Sequence, residues 1–382
     1  MRTPICGLLG IEFPLVAFTH CRDVVAEVSK AGGMGVLGAA GMSPEKLEQE
    51  LAWIDEHIDG KPYGVDLIVP ARFEGQRDQS KPNVNKVDRI PDEHKTFVRT
   101  VMNDHGIDTS DMTDNYMRRG SRLGDNMRDD GATALLDVAF AHPIGLIANA
   151  LGPPPSYMLD MAKVNKVTVA ALVGAKEHAI KQVEAGVDIL VVAGGEAGGH
   201  CGDVSTMVLV PEVSEAVAPY GDVPILAAGG IVTGRQMAAC MAMGAHGAWT
   251  GSVWLTTAEA ETSPVVKDKM LAATSRDTVR SKARTGKYSR QLRSAWTDAW
   301  ESEAAPAPLP MPLQSIVTEP AMHKITKLAE GGHDGARKLA SYFVGQGVGL
   351  MNHSQSARSV VYEFMEDFLT ASDRLNGFTA ED

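Results

Sequence analysis

Residues 223–254 read VPILAAGGIVTGRQMAACMAMGAHGAWTGSVW. A short apolar run ends on Gly229 and Gly230, an amphipathic stretch follows, and a second apolar run ends on Thr250, Gly251 and Ser252. Apolar runs of this length, separated by helical patterns, mark βα units around a parallel sheet. The rhythm extends outward over the chain. FPLVAF (13–18), GVLGA (35–39), YGVDLIV (63–69), IGLIANA (144–150), KVTVAALV (166–173) and DILVVAG (188–194) precede the two runs above. Segments between them, such as CRDVVAEVSKAGG and GAKEHAIKQVEAG, repeat apolar residues near i, i+3 and i+4 and end on glycine, as helices do. Eight strands with seven helical connections predict an α/β fold, a TIM (β/α)8 barrel. A doubly wound sheet shares the period and is the alternative.

Two regions break the rhythm. Residues 71–131 are polar and charged, with helical pieces but no strand pattern and few regularly spaced apolar residues. A connection that long after the third strand of a barrel leaves the end where active sites form, so it reads as a large helical insert or lid over the substrate mouth, adding little to the barrel core. The expected organisation is a barrel from 1–70 and 132–256, closed by a C-terminal extension, 257–382. That extension ends in an amphipathic helix over 356–375 with Val360, Val361, Phe364, Phe368 and Leu369 on one face.

The chain has 382 residues, more than the roughly 250 a barrel needs. Its net charge of −12 argues against nucleic acid or an anionic membrane as the main partner. Cys6, Cys21, Cys201 and Cys240 show no paired short spacing, so neither a disulfide scaffold nor a metal site is expected. MRTPICGLLGIEFP lacks a charged start followed by a sustained apolar run, and a cytoplasmic location is the expectation.

Chemistry concentrates at three glycine motifs. In barrels the loops after the seventh and eighth strands often bind phosphate. A backbone without Cβ brings its N–H groups within reach of phosphate oxygens, which suits AAGGI (227–231) and TGS (250–252). The helix beginning near Thr233 would aim its N-terminus at the same anion, and Ser252 would add a hydroxyl donor. The same glycines could merely make tight turns. GGEAGGHCG (194–202) follows the sixth strand, and its glycines, Gly199 among them, let the loop lie flat against a planar ligand. His200 ends that loop at the catalytic mouth, where an imidazole can exchange a proton near neutral pH. Cys201 has no partner base at a helpful spacing and reads as a small residue beside the site.

GGEAGGHCG followed by AAGGIVTGRQMAACMAMGAHGAWTGSVWL resembles the nitronate monooxygenase (2-nitropropane dioxygenase-like) family of FMN-dependent barrel oxidoreductases. Relatives of that family include flavin-dependent enoyl-thioester reductases and quinone reductases. The similarity runs from LLGIEFPLV to GQGVGLMN (345–352) and excludes most of the insert. It implies FMN as cofactor, His200 as catalytic base, and Gly229, Gly230, Gly251 and Ser252 around the flavin phosphate. Lys166 then corresponds to a family lysine near the flavin, whose charge would stabilise the reduced ring. Without the resemblance, Lys166 is a solvated strand-end lysine. Gln346 resembles a glutamine that approaches the flavin from the C-terminal segment.

Two departures stand out. Where the family has roughly Ala-Pro-Met after the first strand, this chain has Ala17-Phe18-Thr19-His20-Cys21. Phe18 thus takes a flavin-contacting position, and His20 is placed to contact substrate or to cap the following helix. Where the family commonly has Asn after the third strand, this chain has Asp66, which could accept a proton from the ring edge but would repel an anionic substrate.

The resemblance implies oxidation of alkyl nitronates with O2 to carbonyl compounds and nitrite. The alternative is an NAD(P)H-dependent FMN reductase of an activated C=C bond in a bulky or CoA-linked substrate, which a large insert over the mouth would suit. A flavin- or phosphate-binding sensor is the non-enzyme reading, and the intact His200 loop argues against it. A small-molecule substrate is the expected partner, with a homodimer as a possible assembly.

Overall fold

The chain was described from a computed structural model covering residues 3–69, 86–113, 129–150 and 152–379. Each quoted apolar run contains a strand: β1 (Leu15–Thr19), β2 (Met34–Gly38), β3 (Tyr63–Leu67), β4 (Leu146–Asn149), β5 (Thr168–Val173) and β6 (Ile189–Ala193). After the short β7 (Gly199–His200) come β8 (Ile225–Ala228) and β9 (Gly247–Thr250). All but β7 pair in parallel as one closed barrel, β1-β2-β3-β4-β5-β6-β8-β9, and β9 returns to β1 with Ala17 opposite Thr250. This is a TIM barrel.

Alternation along the strands divides the core. Val16, Val36, Leu146, Ala148, Val191 and Leu226 form one buried cluster inside the barrel, and Ile5, Cys6 and Leu9 of the helix Pro4–Leu9 join it from the N-terminal end. Val65, Leu67, Ile147 and Ala171 pack outward against helices. The last helix, Ala357–Thr379, lies against Gly234–Ala242 and Arg22–Lys30 and so takes the eighth helical place around the barrel. It buries Val360, Val361, Phe364 and Met365. Leu369, expected on that face, is instead exposed, because the helix outruns the barrel surface there.

The C-terminal extension also supplies a hairpin, β10 (Thr278–Ser281) and β11 (Ser289–Leu292), which pairs antiparallel with β7 to make a second, three-stranded sheet. Over it runs the helix Leu313–Glu330.

The insert is expected to add little to the barrel core, and its described part is packed instead on the C-terminal extension. Its helix Asp92–Asn103 buries Val98 and Met102 completely and sets Phe97 edge-on to Trp300, with ring centroids 4.9 Å apart. Each such burial is worth about 2 kcal/mol. The helix packs on the C-terminal extension, touching Leu313–Glu330, and His94 Nε2 bonds the Ala307 carbonyl at 2.9 Å. The apolar residues that drive this were hidden by the polar text around them. Residues 70–85 and 114–128, and with them about half of the proposed lid, lie outside the described residues.

The four cysteines are free, and no helix among the described residues is long and apolar enough to cross a membrane.

Candidate active site

The glycine motifs meet at the C-terminal end of the barrel. Gly229 and Gly230 leave β8 with φ of 102° and 70°, the left-handed region that favours glycine. A Cβ on Gly229 would stand 2.8 Å from Thr206 Oγ1, and one on Gly230 would stand 3.0 Å from Glu196 Cβ. Gly251 is different. Its φ is −127° and a Cβ there would meet only Phe18 at 3.9 Å, so its backbone does not itself demand glycine. Among the described residues, the N–H groups of Gly229, Gly230 and Gly251 donate to no atom of the chain. Ser252 Oγ accepts from Gly345 N at 2.8 Å and keeps its own proton to donate. Three orphaned N–H groups and a hydroxyl suit the oxygens of a phosphate. The following helix has little left to offer that anion, because Arg235 N donates to Asp367 Oδ2 at 2.7 Å and Gln236 N to Thr233 Oγ1 at 3.4 Å.

The Gly194–Gly202 loop adjoins this cradle. Glu196 turns its carboxylate onto the N-terminus of the helix Thr206–Val217, accepting from Thr206 N at 2.9 Å and Oγ1 at 3.0 Å, which compensates its charge. Its carbonyl accepts from Gln346 N at 2.9 Å. The C-terminal segment at Gly345 and Gln346 therefore ties the β6 loop to the β9 loop.

His200 ends the same loop on β7, opposite Ser289 of β11. Its Nε2 lies 2.8 Å from Thr285 Oγ1, and the residue as a whole is solvent-exposed. Crowding around the ring, with Lys287 close by, lowers its pKa and keeps the imidazole neutral at pH 7. The Cys201 thiol is pushed up by burial, against the pull of Arg290 and Arg280, and so stays protonated.

Three further side chains occupy the mouth. Phe18 stacks on Trp249 with centroids 6.3 Å apart and meets His20 edge-on at 5.2 Å. His20 Nδ1 donates to the Gly38 carbonyl at 2.7 Å, which leaves Nε2 as the acceptor of the neutral ring. His20 lines a cavity of about 370 Å³, with Thr19, Trp254, Arg284, Glu319 and Tyr342 among its walls. Asp66 alternates with Val65 and Leu67 and so points into the barrel, where it is buried between Gly38 and Ala148 of the adjacent strands. Burial alone raises its carboxyl to about 8.

The chain matches the nitronate monooxygenase family over residues 2–367. It belongs to that family. It is 52% identical to "Putative monooxygenase Rv1533" of Mycobacterium tuberculosis, over 99% of both chains. It is 26% identical to a "Probable nitronate monooxygenase" of Staphylococcus saprophyticus, over 85% of this chain and 88% of that one. Among solved structures, FabK from Thermotoga maritima superposes with a TM-score of 0.69 at 25% identity, covering 99% of both chains. A nitroalkane oxidase from Streptomyces ansochromogenes superposes with a TM-score of 0.76 at 23% identity, covering 97% of this chain and 99% of that one, and shares the fold. Family membership makes the protein an oxidoreductase.

The residues transferred from the nitronate monooxygenase family separate cleanly. Gly199, His200, Gly229, Gly230, Gly251, Ser252 and Gln346 belong to loops at one end of the barrel, as do Phe18, His20 and Asp66 near the ends of their strands. Lys166 does not. It caps the helix Ser156–Asn165 with φ 56°, is exposed, and precedes β5. It stands at the opposite rim, a six-residue strand or roughly 20 Å from the mouth. The placement of Lys166 beside the flavin is therefore corrected to a solvated lysine. Missing from the sequence reading is the whole hairpin that holds His200. Thr285 bonds its ring, and Arg290 grips the Gly195 carbonyl through Nε at 2.9 Å and Nη2 at 2.8 Å. The signal was present in TVRSKARTGKYSRQL, two polar strand-like stretches about a Thr-Gly turn, but it carries no apolar alternation.

Proposed function

We propose that this chain is an FMN-dependent nitronate monooxygenase, converting alkyl nitronates and O2 to carbonyl compounds and nitrite. The observation that carries the reading is the convergence of three orphaned N–H groups and Ser252 beside the loop that ends in a neutral histidine. Gly229, Gly230, Gly251 and Ser252 would hold the terminal phosphate, with Gln346 closing the site from the C-terminal side. Phe18 and Trp249 form an apolar floor, and Asp66, protonated at pH 7, offers a hydrogen-bond donor toward the ring. When bound, FMN supplies the oxidation of the nitronate and the reaction with O2.

His200 takes the proton from the carbon that bears the nitro group. A neutral nitroalkane thereby becomes the nitronate within the site. An imidazole with a lowered pKa is unprotonated at neutral pH and ready for this step. His20, whose Nε2 is an acceptor, lines the cavity beside the mouth and would orient the substrate's polar end.

The test is direct. Acid-released flavin should be FMN, one per chain, and a preformed nitronate should yield nitrite with consumption of O2. FAD, or no flavin after reconstitution, would remove the phosphate assignment. Fast anaerobic bleaching by NADPH without nitrite formation would replace the proposal with the C=C reductase.

A further inference from the structure

We propose that Thr285 is the positioning residue that holds His200 in the Nε2–H tautomer and leaves Nδ1 as the proton acceptor. The inference rests on the reading of His200 as the base.

The donors around Thr285 decide the tautomer. All three polar contacts of its Oγ1 are hydrogen bonds only when the threonine proton points to the Lys287 carbonyl, 3.1 Å away, which can only accept. The same oxygen accepts from Lys287 N at 3.3 Å. With the proton so placed, Thr285 accepts from His200, and the 2.8 Å contact is a donation by Nε2–H. In the neutral ring the other nitrogen then carries the lone pair. A base needs that lone pair held in one place, and a ring with a fixed tautomer supplies it.

The turn that carries Thr285 is rigidly built. Thr318 Oγ1 donates to the Arg284 carbonyl at 2.6 Å and Gln314 Nε2 to the Ala283 carbonyl at 3.0 Å, both from the helix Leu313–Glu330. Arg284, 7% exposed, pairs with Glu319 on that helix. Gly286, with φ of 81°, has no room for a side chain, since a Cβ would overlap the Leu309 carbonyl. Thr285 itself is 7% exposed. The turn thus holds the Thr285 oxygen in one place against the His200 ring.

The test uses the flavin-loaded protein labelled with 15N-histidine, with the His200 signals assigned by their loss in His200→Asn. At a pH where the ring is neutral, the parent should show the pattern of a protonated Nε2 and an unprotonated Nδ1. Thr285→Val, which keeps the shape and removes the acceptor, should give a tautomer mixture, and Thr285→Ser should restore the parent pattern. Turnover should follow. In Thr285→Val, kcat on a neutral nitroalkane should fall about 10- to 100-fold, within the worth of a positioned base, while the loss on the preformed nitronate stays under about 3-fold. A parent ring protonated at Nδ1, or a Thr285→Val spectrum like the parent's, would overturn the inference. If the spectra behave as expected but His200→Asn slows both substrate forms equally, the positioning stands and the base reading fails.

Discussion

Arg284 and Glu319 are joined at two points, Nε to Oε1 at 2.8 Å and Nη2 to Oε2 at 3.0 Å, across the boundary between the His200 hairpin and the helix Leu313–Glu330. The guanidinium is buried and also lies over the Phe343 ring at 4.6 Å, whereas Glu319 is about one-third exposed. Removing one partner of a buried pair leaves an uncompensated charge. Glu319→Gln should therefore destabilise the protein by about 2–3 kcal/mol, below the cost of a fully buried pair because Glu319 keeps some solvent. Urea unfolding followed by circular dichroism measures this, and an unchanged midpoint would mean that the pair is replaceable.

Gly230→Val should abolish flavin retention. The new side chain would sit at a φ of 70° and press on Glu196 Cβ from 3.0 Å, displacing the N–H groups that face the phosphate. Protein purified with full flavin occupancy would show that the cradle lies elsewhere.

His200→Asn should lose activity on neutral nitroalkanes by about two to four orders of magnitude, the usual worth of a positioned general base. The loss on a preformed nitronate should be much smaller, because that anion has already given up its proton. FMN content should stay near normal, since Gly229, Gly230, Gly251 and Ser252 lie on other loops. Flavin occupancy must be measured on each preparation to separate lost cofactor from lost base.

Asp66 makes stability fall as pH rises. Its carboxyl is raised to about 8 in the fold, whereas the unfolded chain releases the proton near 3.8. Between those values the unfolded state is ionised and the folded state is not, so each step upward in pH favours unfolding until the folded pKa is passed. Asp66→Asn should flatten this slope and melt higher than the parent at pH 8, with little difference at pH 4. Parallel melting profiles for the two proteins across that range would show that Asp66 does not titrate in this window.

The described part of the insert belongs to the folded core. Met102→Ala should cost about 2–5 kcal/mol and Val98→Ala somewhat less, as for other buried apolar truncations. Thermal unfolding of both variants checks this, and a midpoint shift of under a degree would return the helix Asp92–Asn103 to the status of a detachable lid.

The barrel was legible because its determinants are local. Each strand is a short apolar run whose period survives in any context, and the turn after β8 is marked by Gly229 and Gly230, which their positive φ explains. Gly229, Gly230 and the Gly194–Gly202 loop could be placed at the mouth for the same reason, since position along a βα unit decides which end of the barrel a residue occupies. Lys166 shows the limit: a resemblance carried it to the flavin, while its own place before β5 already assigned it to the other rim. What the sequence alone could not decide depends on contacts between distant segments. Thr285 meets His200 across 85 positions of chain, and Asp92–Asn103 finds its apolar partner only where Leu313–Glu330 folds back. Such pairings leave no period in the text, because either segment would look unchanged if the other were absent. Tertiary packing alone brings a polar hairpin against the glycine loop and gives the imidazole of His200 its hydrogen bond to Thr285.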